Sequence, residues 1–157
     1  MLHSSLWILV VIATQTLCHA DVTKLSPEHR KALRDNSGFR EVRVTATLPP
    51  AIVALCADDR GRLAKPGQKW EATDFITDDS LPRRRLIWTV TGGDYYVVHY
   101  ERGGYAHSFH VLVATLKQGN TKATVVWRGI GEHLKNFKAF LDALENDKLD
   151  DRLDYAY

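Results

Sequence analysis

The sequence predicts an α+β domain in which a curved antiparallel meander of about four to six strands carries an N-terminal helix and a C-terminal amphipathic helix. Three observations lead there. Between Arg83 and Arg128 four β-rich runs follow one another, the first three separated by the diglycines Gly92-Gly93 and Gly103-Gly104. Between Leu134 and Leu144, the residues Leu134, Phe137, Leu141 and Leu144 share one side of a helix, while Lys135, Lys138, Asp142 and Glu145 lie elsewhere. Upstream of the strands, Ser26-Pro27 has the form of a helix start, with a hydroxyl able to accept from the first free amides and a proline whose missing N–H costs nothing there.

Residues 1–20 read as a signal peptide preceding this domain. An unbroken apolar run from Leu6 to Ala13 gives way to Thr14, Gln15 and Thr16, and small residues at Cys18 and Ala20 place the cut after Ala20. Positive charge at the start is limited to His3 and the amino terminus. The run falls short of the roughly 20 apolar residues that span a bilayer core. Cys18 also sits where a lipid anchor would be attached, but the bulky Leu17 before it argues against that processing. The expectation is export, to the periplasm or beyond, with no transmembrane segment in the mature chain.

Residues 21–157 have the length of one ordinary domain, enough to bury a core without covalent staples. One cysteine, Cys56, falls in this part, so no intramolecular disulfide is expected; it follows Ala51-Ile52-Val53-Ala54-Leu55 and reads as a buried structural thiol. Lys and Arg number 21 against 19 for Asp and Glu, a net +2 without the basic stripe that nucleic acid requires. No nucleic-acid partner is expected.

The first helix should run from Pro27 to about Arg34 and stop in Asp35-Asn36-Ser37-Gly38. From Arg40 to Thr47, Val42, Val44 and Ala46 alternate with Glu41, Arg43 and Thr45, as in a half-buried strand. Pro49-Pro50 breaks that strand, and Ala51 to Cys56 reads as a short helix. Asp58 to Gly67 is a loop, with Asp59-Arg60-Gly61 and Lys65-Pro66-Gly67 as turn signals. The meander strands are expected at Arg84–Thr91, Asp94–Glu101, Tyr105–Leu116 and Lys122–Arg128. Residues 147–157, with Leu149 and Leu153 as apolar anchors, read as a flexible tail. The element order resembles that of cystatin-like cones and of helix-grip domains, a likeness of architecture that implies no function.

If each diglycine forms the centre of a two-residue hairpin turn, Thr91 lies opposite Asp94 and Arg102 opposite Tyr105. One face then holds Arg85, Ile87 and Thr89 beside Tyr100, Val98 and Tyr96, beside His107, Phe109 and Val111. The other holds Leu86, Trp88 and Val90 beside His99, Val97 and Tyr95, beside Ser108, His110 and Leu112, so that Trp88, Val97 and His110 share a row. Neither face is polar, so both need cover.

No CxxC, HExxH, GxSxG or phosphate-cradling glycine motif is present, and no metal or cofactor is expected. Of the three histidines of the second hairpin, His99, His107 and His110, the register puts His107 on one face and the other two on the opposite one, which spoils a shared metal site. Arg85, Tyr100 and His107 form a row that could present a guanidinium, a phenol and an imidazole to a small anion or carbonyl, with Tyr96 on the same face. The ordinary reading of that row is a cross-strand ring pair capped by a surface arginine. Arg83-Arg84-Arg85 is the basic run, with Arg84 expected opposite Glu101. Trp70, Trp88 and Trp127 are sized for a β-rich core.

Export, small size, missing catalytic motifs and two semi-apolar faces predict a binding or interaction module that meets an envelope protein, a glycan or a small amphiphile. Arg85, Tyr96, Tyr100 and His107 are its candidate ligand-binding residues. The competing expectation is a small extracytoplasmic hydrolase or isomerase using His107 with Tyr100 and Arg85; a third is a purely structural envelope protein.

Overall fold

The computed structural model describes residues 24–35, 37–42 and 47–151. The expected signal peptide with Cys18, the second half of the first strand and the last residues of the expected tail lie outside these.

The Ser26 side chain accepts from the His29 amide at 3.3 Å and starts α1, Pro27–Arg34. After β1, Arg40–Val42, proline again opens a helix, α2, Pro50–Cys56. The meander follows as β2, Arg84–Gly92, β3, Tyr95–Arg102, β4, Ser108–Thr115, and β5, Thr124–Gly131. Helix α3, Phe137–Glu145, ends the described chain's regular structure. The five strands form one open antiparallel sheet in the order β1-β2-β3-β4-β5, and with the three helices they make the α+β architecture. No helix among the described residues is long and apolar enough to cross a membrane.

The outer edge of β2 is shared. β1 pairs with its far half through Val42 and Thr89, while Ala64, from the stretch expected to be plain loop, bridges its beginning: the Ala64 amide donates to the Arg84 carbonyl and the Leu86 amide to the Ala64 carbonyl, both at 2.9 Å. Covering an edge in this way removes a row of unpaired amides from solvent.

Both faces of the sheet are covered, by different helices. On one, Trp88, Val90, Val97, Val111, Val113 and Trp127 meet Leu33 of α1 and Phe140 and Leu144 of α3. Arg30 of α1 donates to the Leu144 carbonyl at 3.0 Å, and Arg34 pairs with Glu145 at 2.9 Å, which joins the two helices. On the other face, Leu86, Val98, Tyr100 and Leu112 meet Ile52 and Cys56 of α2. Cys56 is fully buried, and burial pushes its thiol up to about 12 against the pull of Arg128 and Arg84.

Three details overturn the expected register. The first turn is Gly93-Asp94, with Gly93 at φ 57° and Gly92 paired to Tyr95, which slides β2 on β3 by two residues and keeps the faces. A bulge at Ile87, between the pairs Leu86–Tyr100 and Trp88–His99, then sends Leu86 and Trp88 to opposite faces. The second connection is a loop spanning residues 103–107, because Arg102 pairs with Ser108 and not with Tyr105. That slip of three residues reverses every side chain of β4 relative to the expectation. Trp88 therefore shares its row with His99 and Val111, and His110 stacks on Tyr100 with ring centroids 5.1 Å apart.

Helix α3 begins at Phe137, later than expected. Leu134 is held at both its backbone groups: its amide donates to His99 Nε2 at 3.1 Å, and its carbonyl accepts from Trp88 Nε1 at 2.7 Å. A residue tied in this way cannot enter the helical ladder, and Asn136 caps the helix instead through the Ala139 amide. Residues 147–151 also depart from the expected flexible tail. Leu149 is buried, Asp150 and Ile130 exchange backbone hydrogen bonds, and the Trp127 indole donates to Asp151 Oδ2 at 3.0 Å.

Thr89 is fully buried and its hydroxyl finds no hydrogen-bond partner. A buried hydroxyl that gives up water for nothing is destabilising. Thr89→Val should raise the unfolding free energy by about 1 kcal/mol, read as a higher urea midpoint at unchanged slope. A lower midpoint would show that the hydroxyl contributes.

Candidate functional site

The structure does not assemble the row of Arg85, Tyr100 and His107. Tyr100 pairs with Leu86 and turns into the core against α2, where burial raises its phenol to about 12. Arg85 pairs with Glu101 instead, and their side chains meet, Arg85 Nε donating to Glu101 Oε1 at 2.6 Å. His107, from the loop before β4, donates from Nε2 to the other carboxylate oxygen at 2.8 Å, and a carboxylate that only accepts requires the proton on that nitrogen. Trp70 completes the cluster, with the Arg85 guanidinium 5.1 Å from its ring centre and the His107 ring 5.4 Å away. Arg85 and His107 are thus brought together by a buried carboxylate. Tyr96 is half-buried further along β3, bordering a shallow recess with Leu116 and Lys117.

A different set of residues converges on the α2 face. Arg84 and Arg102 are cross-strand partners on β2 and β3, and the three-residue slip of β4 brings Arg128 of β5 to the same side. Together they line a cleft of about 570 Å³ between the end of α2 and the loop at Gly103, Gly104 and Tyr105. The Arg84 guanidinium lies 5.9 Å from the centre of the Tyr100 ring. Beneath, His110 is driven down to about 4, first by burial and then by the positive charge of Arg102 and Arg84. Among the described residues, neither the Arg102 nor the Arg128 side chain makes a hydrogen bond or an ion pair.

Of the two acidic residues that line the cleft, Asp58 and Asp59, the first is already committed. Asp58 accepts from the amides of Arg60 and Arg62 at 3.0 and 2.8 Å through Oδ1, and from the Arg83 amide at 3.1 Å and the Arg62 guanidinium through Oδ2. Burial works to raise its carboxyl, but these hydrogen bonds together outweigh it and hold it below the usual range. The cleft lining carries Arg83, Arg84, Arg102 and Arg128 against Asp58 and Asp59, an excess of positive charge. Its apolar part is made by Ala54, Leu55 and Ala57.

The arginine cleft was not legible in the sequence, because Arg84, Arg102 and Arg128 lie on three strands and meet only in the observed register. Arg84 alone stood out, as part of the basic run. No group of three or more His, Cys, Asp or Glu able to hold a metal ion occurs among the described residues. Compared with protein-family models, curated proteins and solved structures, the chain gives no significant match, and the reading of the site rests on its geometry.

Proposed function

We propose that the chain is an exported binding module that takes an anionic group into the arginine cleft. The observation that carries this reading is the pair Arg102 and Arg128 beside Arg84, lining a cleft with no carboxylate paired to either of the first two among the described residues. Like charges held together at a partly dry surface repel, and a bound anion relieves that cost while accepting from several guanidinium donors at once. Export is supported by the layout of residues 1–20. Recovery of a chain beginning at Asp21 from the extracytoplasmic fraction tests it; an uncut chain in the cytoplasm overturns it.

Inorganic phosphate should stabilise the protein against heat relative to chloride at equal ionic strength, with about 2.7 kcal/mol gained at a hundredfold excess over the dissociation constant. Arg102→Gln with Arg128→Gln should abolish that gain without lowering the melting temperature measured in chloride, since the substitutions remove repulsion. Equal phosphate stabilisation of the parent and the double variant would refute the site.

A further inference from the structure

Resting on that anion-binding reading, we infer that the ligand is an anionic amphiphile, with its head on Arg84, Arg102 and Arg128 and its apolar part along the end of α2 and under Tyr105. The cleft, at about 570 Å³, is far larger than an inorganic anion needs; it falls in the range of pockets for organic ligands. Its lining holds more arginines than aspartates and brings Arg84, Arg102 and Arg128 to one side of the sheet, a seat for an anionic head group. The wall of Ala54, Leu55 and Ala57 provides no side-chain hydrogen-bonding group; of the two aspartates that follow it, Asp58 has both oxygens engaged and Asp59 is exposed to solvent.

Of the residues lining the cleft, Tyr105 is a large hydrophobic exposed to solvent. The exposed large hydrophobic residues among those described are Tyr105 at 95%, Phe75 at 76% and Ile76 at 40%, and they sit on two neighbouring loops. Thr73 bridges Gly104, and the Gly104 amide donates to the Ala72 carbonyl at 3.3 Å, which joins the loop of Phe75 to the loop of Tyr105. Neither loop is free to fold its apolar side chains away. The buried Glu71 carboxylate accepts from the Thr77 amide and hydroxyl, the Asp78 amide and the Thr73 hydroxyl, locking residues 73–78 in place. Apolar side chains held out in water by a fixed loop, beside an arginine seat, complement a molecule with a charged head and an apolar tail.

Such a ligand could be a free amphiphile or a lipid of a bilayer, and one set of measurements separates the two. Calorimetric titration with methyl, butyl, hexyl and octyl phosphate, each kept below micelle formation, should show affinity rising about fourfold per methylene until the tail passes the rim. Tyr105→Ser and Ala54→Gln, both at exposed positions, should flatten this rise while leaving phosphate-dependent stabilisation intact. Sedimentation with phosphatidylglycerol vesicles, lost in the Arg102→Gln/Arg128→Gln variant, assigns the amphiphile to a bilayer. Chain-length-dependent binding without vesicle retention assigns it to a free molecule. Equal affinity for methyl and octyl phosphate overturns the amphiphile and leaves the anion site standing; failure of every phosphate to bind overturns both.

Discussion

Between pH 6.5 and about 4 the protein should lose several kcal/mol of stability, because two buried imidazoles resist protonation. His99 and His110 both fall from the ordinary 6.5 to about 4, His99 chiefly through burial, countered in part by its hydrogen bond to the His110 carbonyl, and His110 through burial and the neighbouring arginines. A folded pKa below the unfolded one means that the unfolded chain binds more protons throughout the interval between them. The contribution is therefore full above pH 6.5, is lost progressively as the pH falls, and is gone below about 4. At ~1.4 kcal/mol per unit, each imidazole accounts for about 3 kcal/mol.

The geometry of His99 says where the structure should open. Its Nδ1–H donates to the His110 carbonyl at 2.9 Å, and its Nε2 accepts from the Leu134 amide at 3.1 Å, which is the neutral tautomer with both nitrogens in use. A proton on Nε2 would set one donor against another and release Leu134, the residue that ties the approach of α3 to the sheet. Urea unfolding at pH 7, 5.5 and 4.5 should show the falling midpoint, and hydrogen exchange should show α3 losing protection first. The carboxyls held low, such as Asp58 and Glu71, start from 3.8 and 4.5, so their effect falls at the bottom of this window and below it. A flat stability from pH 6.5 to 4.5 would mean that these imidazoles are not buried and neutral.

Gly103→Ala should be the most damaging single methyl in the protein, at about 3 kcal/mol. A Cβ at this position would lie 2.8 Å from Cα of Ala72 and closer still to the carbonyl oxygen of Glu71. Both are backbone atoms, so no side-chain rotation relieves the clash. The Gly103 amide also donates to the Arg83 carbonyl at 2.9 Å, and the loop it begins carries Tyr105 and closes the cleft. Displacing it should lower the urea midpoint and weaken phosphate-dependent stabilisation together. A variant as stable as the parent would show that residues 71–72 can move aside at no cost.

Local signals were readable wherever the chemistry that makes an element lies within a few residues. The Ser26 cap, the proline starts at Pro27 and Pro50, and the β-rich runs of the meander all appear where the sequence places them, to within a few positions. The helix expected from Leu134 is the instructive exception, since two side chains from distant strands, His99 and Trp88, take up the backbone of Leu134 and delay the helix to Phe137. At residues 147–151, charge and composition suggested a tail, while Trp127 and Ile130 supply partners for Asp151 and Asp150. The candidate site fared less well. Arg85 and His107 do come together, through Glu101, but Tyr100 faces away and the arginine cleft went unseen.

The amino-acid sequence by itself determined the α+β class, the order of its elements and the need for cover on both faces of the sheet, because periodicity, capping and turn residues act over short stretches of chain. Only the tertiary structure decided which side chains meet. Side chains alternate along a strand, so a bulge at Ile87 or a slip of three residues between β3 and β4 reverses whole faces. Those choices rest on contacts between residues far apart in the chain: Gly103 against Glu71 and Ala72, and Trp88 and His99 against Leu134. The meeting of Arg84, Arg102 and Arg128 is a product of that register and exists in no local pattern.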